Sequence, residues 1–282
     1  MLAPLLALSA SVIWGVADFQ AAVRARNVGP LVVAAVAQIT GTALLILPLL
    51  FFDDPFPGWQ IWIPGVIAGV AGSAGHVVFY AALSRGPIGV IAPILAMSSA
   101  GPVLFAVLVS GERPALLQVV GLVLAVVGVV LVSRQASVGD TKHGKYGAIP
   151  LALLAIAIGT VMYIALDAAS QESGLWGVTA QRSVSLPILL IALMVVTVRG
   201  ATRPSLSTFR AIAPIGIMDT GALLLFAYAT SVGDLSLAVV LASLYPVVTV
   251  ILARVRLSEH LSRVQRVGAV VAFAGVAAIV AG

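Results

Sequence analysis

Apolar residues run along this chain in ten long stretches, separated by short breaks of turn-forming and charged residues. A helix needs about 20 apolar residues to cross the hydrocarbon of a bilayer. The stretches lie near 2–22, 30–50, 62–83, 89–110, 115–133, 147–168, 177–198, 210–231, 236–256 and 262–281. Breaks such as Arg24-Ala25-Arg26-Asn27, Asp53-Asp54-Pro55, Ser84-Arg85-Gly86-Pro87 and Gly111-Glu112-Arg113-Pro114 punctuate them. The longest break, Arg134 to Tyr146, is polar and divides five stretches from five. The pattern therefore predicts two five-helix units, 1–134 and 147–282, joined by a loop over 135–146. Within lipid every backbone N–H and C=O must bond internally, so a span is a helix or a barrel strand. Nothing here alternates over ten residues as barrel strands do. The predicted fold class is an all-α integral membrane protein with ten transmembrane helices.

Composition agrees. Of 282 residues, 61% are hydrophobic and 9% charged, against about 25% charged in soluble domains. A soluble core of this size could not hide that much apolar surface. The net charge of +5 would suit nucleic acid, but the positive residues sit in loops between apolar runs, so no nucleic-acid partner is expected. There is no cysteine, hence no disulfide and no thiolate metal site. The N-terminus enters an apolar run without a basic leader, so no cleaved signal peptide is predicted. Arginine outnumbers lysine 13 to 2, a composition that points to a GC-rich bacterial genome and so to a bacterial cytoplasmic membrane. An intramembrane protease would need Ser–His with G-x-S-G, paired aspartates with G-x-G-D, or H-E-x-x-H. Gly72-Ser73-Ala74-Gly75 has the wrong order and the others are absent. There is no Walker A loop. Neither an enzyme, a cofactor nor a metal is expected.

The two halves repeat. An offset of 147 pairs Glu112 with Glu259, Gln118 with Gln265, Gly121 with Gly268, Gly128 with Gly275, Phe79 with Phe226, Ser84 with Ser231 and Gly86 with Gly233. Trp14-x-x-x-Asp18 recurs as Tyr163-x-x-x-Asp167 at an offset of 149. An odd number of spans per repeat turns the second half upside down, and inverted repeats around a midplane site are a transporter design. GERPALLQVVGLVLAVVGVVLVS, SLYPVVTVILARVRLSEHLSRVQRVGAVVAFAGVAAIV and the opening WGVADF resemble paired EamA domains of the drug/metabolite transporter superfamily. The resemblance spans essentially the whole chain. It implies a ten-helix secondary transporter, commonly an exporter, with a small-molecule substrate and a cavity lined by spans 1, 3, 4, 6, 8 and 9. A facilitative channel or an uptake carrier is the alternative function.

Ionisable residues inside the spans are candidates for chemistry, because a charge at mid-bilayer costs at least ~2.5 kcal/mol. They are Asp18, Asp167, Arg182, Asp219 and His76. Asp167 and Arg182 lie near one membrane face, where a structural ion pair is expected. Asp219 lies roughly 13 Å along its span and His76 roughly 10 Å from the end of the equivalent span in the other half, so both reach similar depth. A carboxylate beside an imidazole exchanges protons in the physiological range, which assigns proton coupling to Asp219 and His76, with Asp18 and Asp167 as further proton-carrying candidates. Trp14, Tyr80, Tyr163, Tyr228 and Tyr245 offer apolar area plus one hydrogen bond each and are expected to line the cavity. Pro93, Gly101-Pro102 and Tyr245-Pro246 interrupt spans 4 and 9, where freed carbonyls mark a site. Ser98, Ser99, Ser243 and Thr249 supply polar groups there. Gly121-x-x-x-Ala125 and Gly268-x-x-x-Ala272 read as helix-packing faces.

With the N-terminus outside, 13 of the 15 Lys and Arg fall in cytoplasmic loops and span ends; Arg113 lies outside and Arg182 within a span. The positive-inside rule then places both termini outside. A C-terminal reporter that works only in the cytoplasm should be silent, and its activity would reverse this orientation.

Overall fold

The computed structural model describes residues 2–51, 53–99, 115–134, 145–200, 203–232, 241–242, 244–259 and 261–281. Ten helices of eight residues or more occur among them. They are α1 (Leu2–Val28), α2 (Pro30–Phe51), α3 (Trp62–Arg85), α4 (Ile88–Leu95), α5 (Leu116–Arg134), α6 (Lys145–Ser170), α7 (Gly174–Val198), α8 (Leu206–Val232), α9 (Tyr245–Leu257) and α10 (Arg263–Ala281). There is no strand among the described residues. Six helices, α1, α2, α3, α6, α7 and α8, are long and apolar enough to cross a membrane, and α5 carries a shorter apolar stretch, Leu116–Gly128. Side chains such as Leu5, Leu50, Ile63, Met194 and Val198 are exposed, as a lipid-facing surface requires. This is a multi-pass membrane protein.

Some helices depart from the expected spans. Several overshoot: α1 holds 27 residues, about 40 Å at 1.5 Å per residue, so its Arg24 and Arg26 end lies beyond a ~30 Å hydrocarbon core. α4 and α9 cover only part of spans 4 and 9, whose other residues lie largely outside the described ones. After Pro93, α4 tightens into a 3₁₀ turn, Ala96–Ser99, and α9 starts at Tyr245 with Pro246 in its first turn. Proline is welcome in a first turn and disruptive inside a helix. Gly101-Pro102 and Glu112 lie outside the described residues.

Packing follows the repeat. α3 packs on α6 and α7 of the second half; its counterpart α8 packs on α1 and α2 of the first. α9 lies on α1 as α4 lies on α6, while α5 packs on α10 and α2 on α7. The agreement reaches single residues. Gly69 faces Val184, and Gly216 (69 + 147) faces Ala37 (184 − 147). Gly128 faces Ala272, and Gly275 (128 + 147) faces Ala125 (272 − 147). Contact numbers rise on α5 as they fall on α10, so these helices run antiparallel, and the pseudo-two-fold relating them crosses their axes. Side chains related by the operation meet directly: Gln38 donates to Ser185 (38 + 147) in a buried hydrogen bond.

Two contacts break the symmetry. α3 also packs on α1 and α2 of its own half, whereas the counterpart contacts of α8 with α6 and α7 are slight at most among the described residues. α6 and α8 therefore stand apart. Separate ties join the halves at the two ends of the bundle. At one, Ser173 Oγ donates to Asp54 Oδ2 (2.6 Å), Trp176 Nε1 donates to the Asp54 carbonyl (2.8 Å), and Phe56 meets the Trp176 ring at 5.2 Å. At the other, Arg26 donates to the Gly86 carbonyl (3.2 Å) and pairs with Glu259 (3.4 Å), whose second oxygen accepts from the Gly89 N–H (3.0 Å).

A side chain at Gly216 would collide with the Ala37 carbonyl and the Thr40 hydroxyl, and backbone cannot yield cheaply. Gly216→Val should cost about 1–3 kcal/mol or more and lower the thermal unfolding midpoint. Gly221→Ala, on the same helix with open space around it, should leave the midpoint unchanged or raise it slightly.

Candidate functional site

A cavity of about 160 Å³ lies between the halves, lined from α1, α3, α4, α6, α8 and α9, the six helices that the family resemblance implies. The helical period builds its walls, since residues three and four apart share a face. On α1 these are Trp14 and Asp18; on α3, His76, Phe79 and Tyr80; on α6, Ile156, Gly159 and Tyr163. Leu95 of α4, Asp219 of α8 and Tyr245 of α9 complete the ring. Gly159 opens the space, because a Cβ there would touch nothing.

The α1–α9 contact positions the aromatic end. Gly15 lies against the Tyr245 carbonyl and Val248, too close for any side chain, and Thr249 Oγ1 donates to the Gly15 carbonyl (3.1 Å). Trp14 is thereby held beside Tyr245, at 6.5 Å edge-on, and beside Phe226 at 5.9 Å. Across the cavity, the rings of His76 and Tyr80 meet edge-on at 6.2 Å. His76 Nδ1 lies 2.7 Å from the Gly72 carbonyl. A carbonyl only accepts, so Nδ1 carries the proton and Nε2 is the ring atom left for other partners.

Behind Asp219 stands a polar chain through the bundle. Arg182 of α7 donates from Nη2 to Asp219 Oδ2 and from Nη1 to Gln38 Oε1, both at 2.8 Å, and Gln38 in turn donates to Ser185. The Arg182 side chain is 6% exposed and that of Asp219 is 25% exposed. Gly41 makes the room: a Cβ there would lie 3.3 Å from Arg182 Nη1 and would collide with Thr220 Oγ1.

This arrangement corrects the expected Arg182–Asp167 pair. Helix α7 starts at Gly174, capped by Ser173, so Arg182 lies roughly 12 Å inside it, whereas Asp167 is only roughly 5 Å from the end of α6. Asp167 is exposed and accepts from Gln171 Nε2 at 3.1 Å. It is not at the cavity. Tyr228 is half-exposed and is not among the lining residues either. Trp14, Asp18, His76, Tyr80, Tyr163, Asp219 and Tyr245 come together there. Ser243 and the side chains of Ser98 and Ser99 lie outside the described residues. Gln38 and Ser185 were missed by sequence reasoning, although a polar pair 147 apart inside two apolar runs was a legible signal. Phe79, Ile156 and Met162 were missed because an apolar residue in an apolar run carries none. No cluster of three or more metal-ligating side chains occurs among the described residues.

These features define a helical membrane protein with a cavity between two repeated halves. The chain belongs to the EamA-like transporter family, whose model matches residues 1–134 and again 146–281. No curated protein matches it. A protein of known crystal structure shares the fold, with a TM-score of 0.64 and 22% identity over 98% of this chain and 95% of that one.

Breaking a buried ion pair from one side costs about 3–5 kcal/mol, because a charge is stranded. Arg182 is the more enclosed partner. Asp219→Ala should therefore lower the unfolding midpoint further than Arg182→Gln, which leaves a carboxylate already open to the cavity. Equal losses in thermal unfolding would mean that burial does not set the cost.

Proposed function

We propose that this protein is a secondary active exporter of a small solute, working by alternating access in a bacterial cytoplasmic membrane with both termini outside. Its halves, 1–134 and 147–282, rock about the central cavity, and proton movement is coupled through Asp219 and His76. The observation that carries the reading is that these two residues lie on equivalent helices, α8 and α3, and face one cavity between the halves. Rocking changes their separation, and with it the field each exerts on the other, so proton affinity changes with conformation. The unequal packing of α8 and α3 supports a bundle with two unlike end states rather than a fixed pore.

The test is flux. Purified protein in liposomes is screened against small metabolites and drugs with and without a pH gradient. For a solute that moves, Asp219→Asn should abolish gradient-driven accumulation while exchange between two loaded faces partly survives. Undiminished gradient-driven transport by both Asp219→Asn and His76→Gln rejects the coupling role. Flux that never shows counterflow favours a channel, and strict accumulation on the cytoplasmic side favours an uptake carrier.

A further inference from the structure

We propose that the cavity selects a compact organic cation: an ammonium group with an apolar or single-ring body. This rests on the reading of the cavity as the transport site and adds the chemistry of its substrate.

Charge comes first. The lining holds two carboxylates, Asp18 and Asp219, and one imidazole, His76, with no Lys or Arg. Asp219 is already answered by Arg182, 2.8 Å away and outside the lining. That pair is neutral in sum. Asp18 has no hydrogen-bond or ion-pair partner among the described residues. Asp18 is therefore the one acidic group of the lining with no charged partner among the described residues, and ionising it in this slab is costly unless a cation lies beside it. An anion would find no cation in the lining, since the Arg182 charge is spent on Asp219. A neutral solute would leave Asp18 as it was.

The walls give the second argument. Trp14, one helical turn from Asp18 on the same face, lines the cavity with Phe79, Tyr80, Tyr163 and Tyr245. Aromatic faces attract cations, indole most strongly, by about 0.5–2 kcal/mol each where water is excluded. They also accept the apolar body of the same molecule. Because His76 Nδ1 is committed to the Gly72 carbonyl, Nε2 of the neutral ring is an acceptor for an ammonium N–H. Size gives the third. About 160 Å³ falls below the 300–1,000 Å³ of drug-sized sites, so the ligand is compact.

The probe is phenyltrimethylammonium, whose charge does not vary with pH, set against benzamide and benzenesulfonate as neutral and anionic bodies of similar size. Binding to the full chain in nanodiscs is followed by calorimetry. Only the cation should bind saturably. Asp18→Asn should weaken it by about tenfold, which corresponds to ~1.4 kcal/mol, and Trp14→Leu by about fivefold, while Asp18→Glu should retain most of the affinity. Asp53→Asn, an exposed loop change, should have no effect. Should Asp18→Asn not fold, the contrast between Asp18→Glu and Trp14→Leu decides. Equal binding of benzenesulfonate or benzamide, or cation binding untouched by Asp18→Asn and Trp14→Leu, overturns the proposal. Cation binding without any exchange of the probe across liposomes removes the transport reading and leaves the site. Exchange of benzenesulfonate that Trp14→Leu blocks keeps the transport reading and removes the cation.

Discussion

A guanidinium in a hydrocarbon slab must be answered by the protein itself, and Arg182 is answered by two other helices at once. Its two terminal nitrogens reach Gln38 on α2 and Asp219 on α8. Both α2 and α8 pack directly against each other as well. Rotating α7 by one residue position would swing the guanidinium through about 100° and forfeit both bonds. The bonds thus fix the angular setting of α7, and with it which face of α8 turns Asp219 toward the cavity. A carboxylate that lines a ligand space is anchored from behind by a cation that does not.

Around that chain the helices meet through glycine. Lipid gives no hydrophobic drive for helices to associate, so close van der Waals approach has to supply it. Gly69, Gly216, Gly128 and Gly275 each sit where a Cβ would strike a facing residue. They occur as two pairs at the repeat offset, so each close crossing in one half has its counterpart in the other. The α5–α10 crossing touches α4 and joins the halves without lining the cavity.

How far the sequence can be read depends on contrast. Two halves, ten apolar stretches and the broken fourth and ninth helices were legible, because charges, prolines and glycines stand out in apolar runs. The full set of six cavity helices came from the family resemblance; three of them were legible from Trp14, Asp18, His76 and Asp219, which are conspicuous where they lie. Partner choice was not. Arg182 was matched to Asp167 on nearness to one membrane face, but three extra residues at the start of α7 set it deeper, and the answering carboxylate came from a helix 37 residues on. Helix ends escaped for a related reason: polar residues such as Arg24 end an apolar run without ending a helix, whose backbone bonds continue into the interface.

The two ends of the bundle are tied by different chemistry. Phe56, Trp176, Ser173 and Asp54 join by ring contact and by hydrogen bonds from uncharged donors; Arg26 and Glu259 join as a pair of opposite charges, with side chains 33% and 18% exposed. Repeat symmetry matches Glu259 with Glu112, but the position matching Arg26 at the α1 offset is Leu175 (26 + 149). The ionic tie has no twin among the described residues. A partly exposed pair is worth about 0–1 kcal/mol and is screened over about 8 Å at physiological ionic strength, whereas ring contacts are nearly indifferent to salt. Dissolved salt therefore loosens the end tied by opposite charges more than the end tied by rings and uncharged donors, and the electrolyte on each side of the membrane enters the balance between its ends.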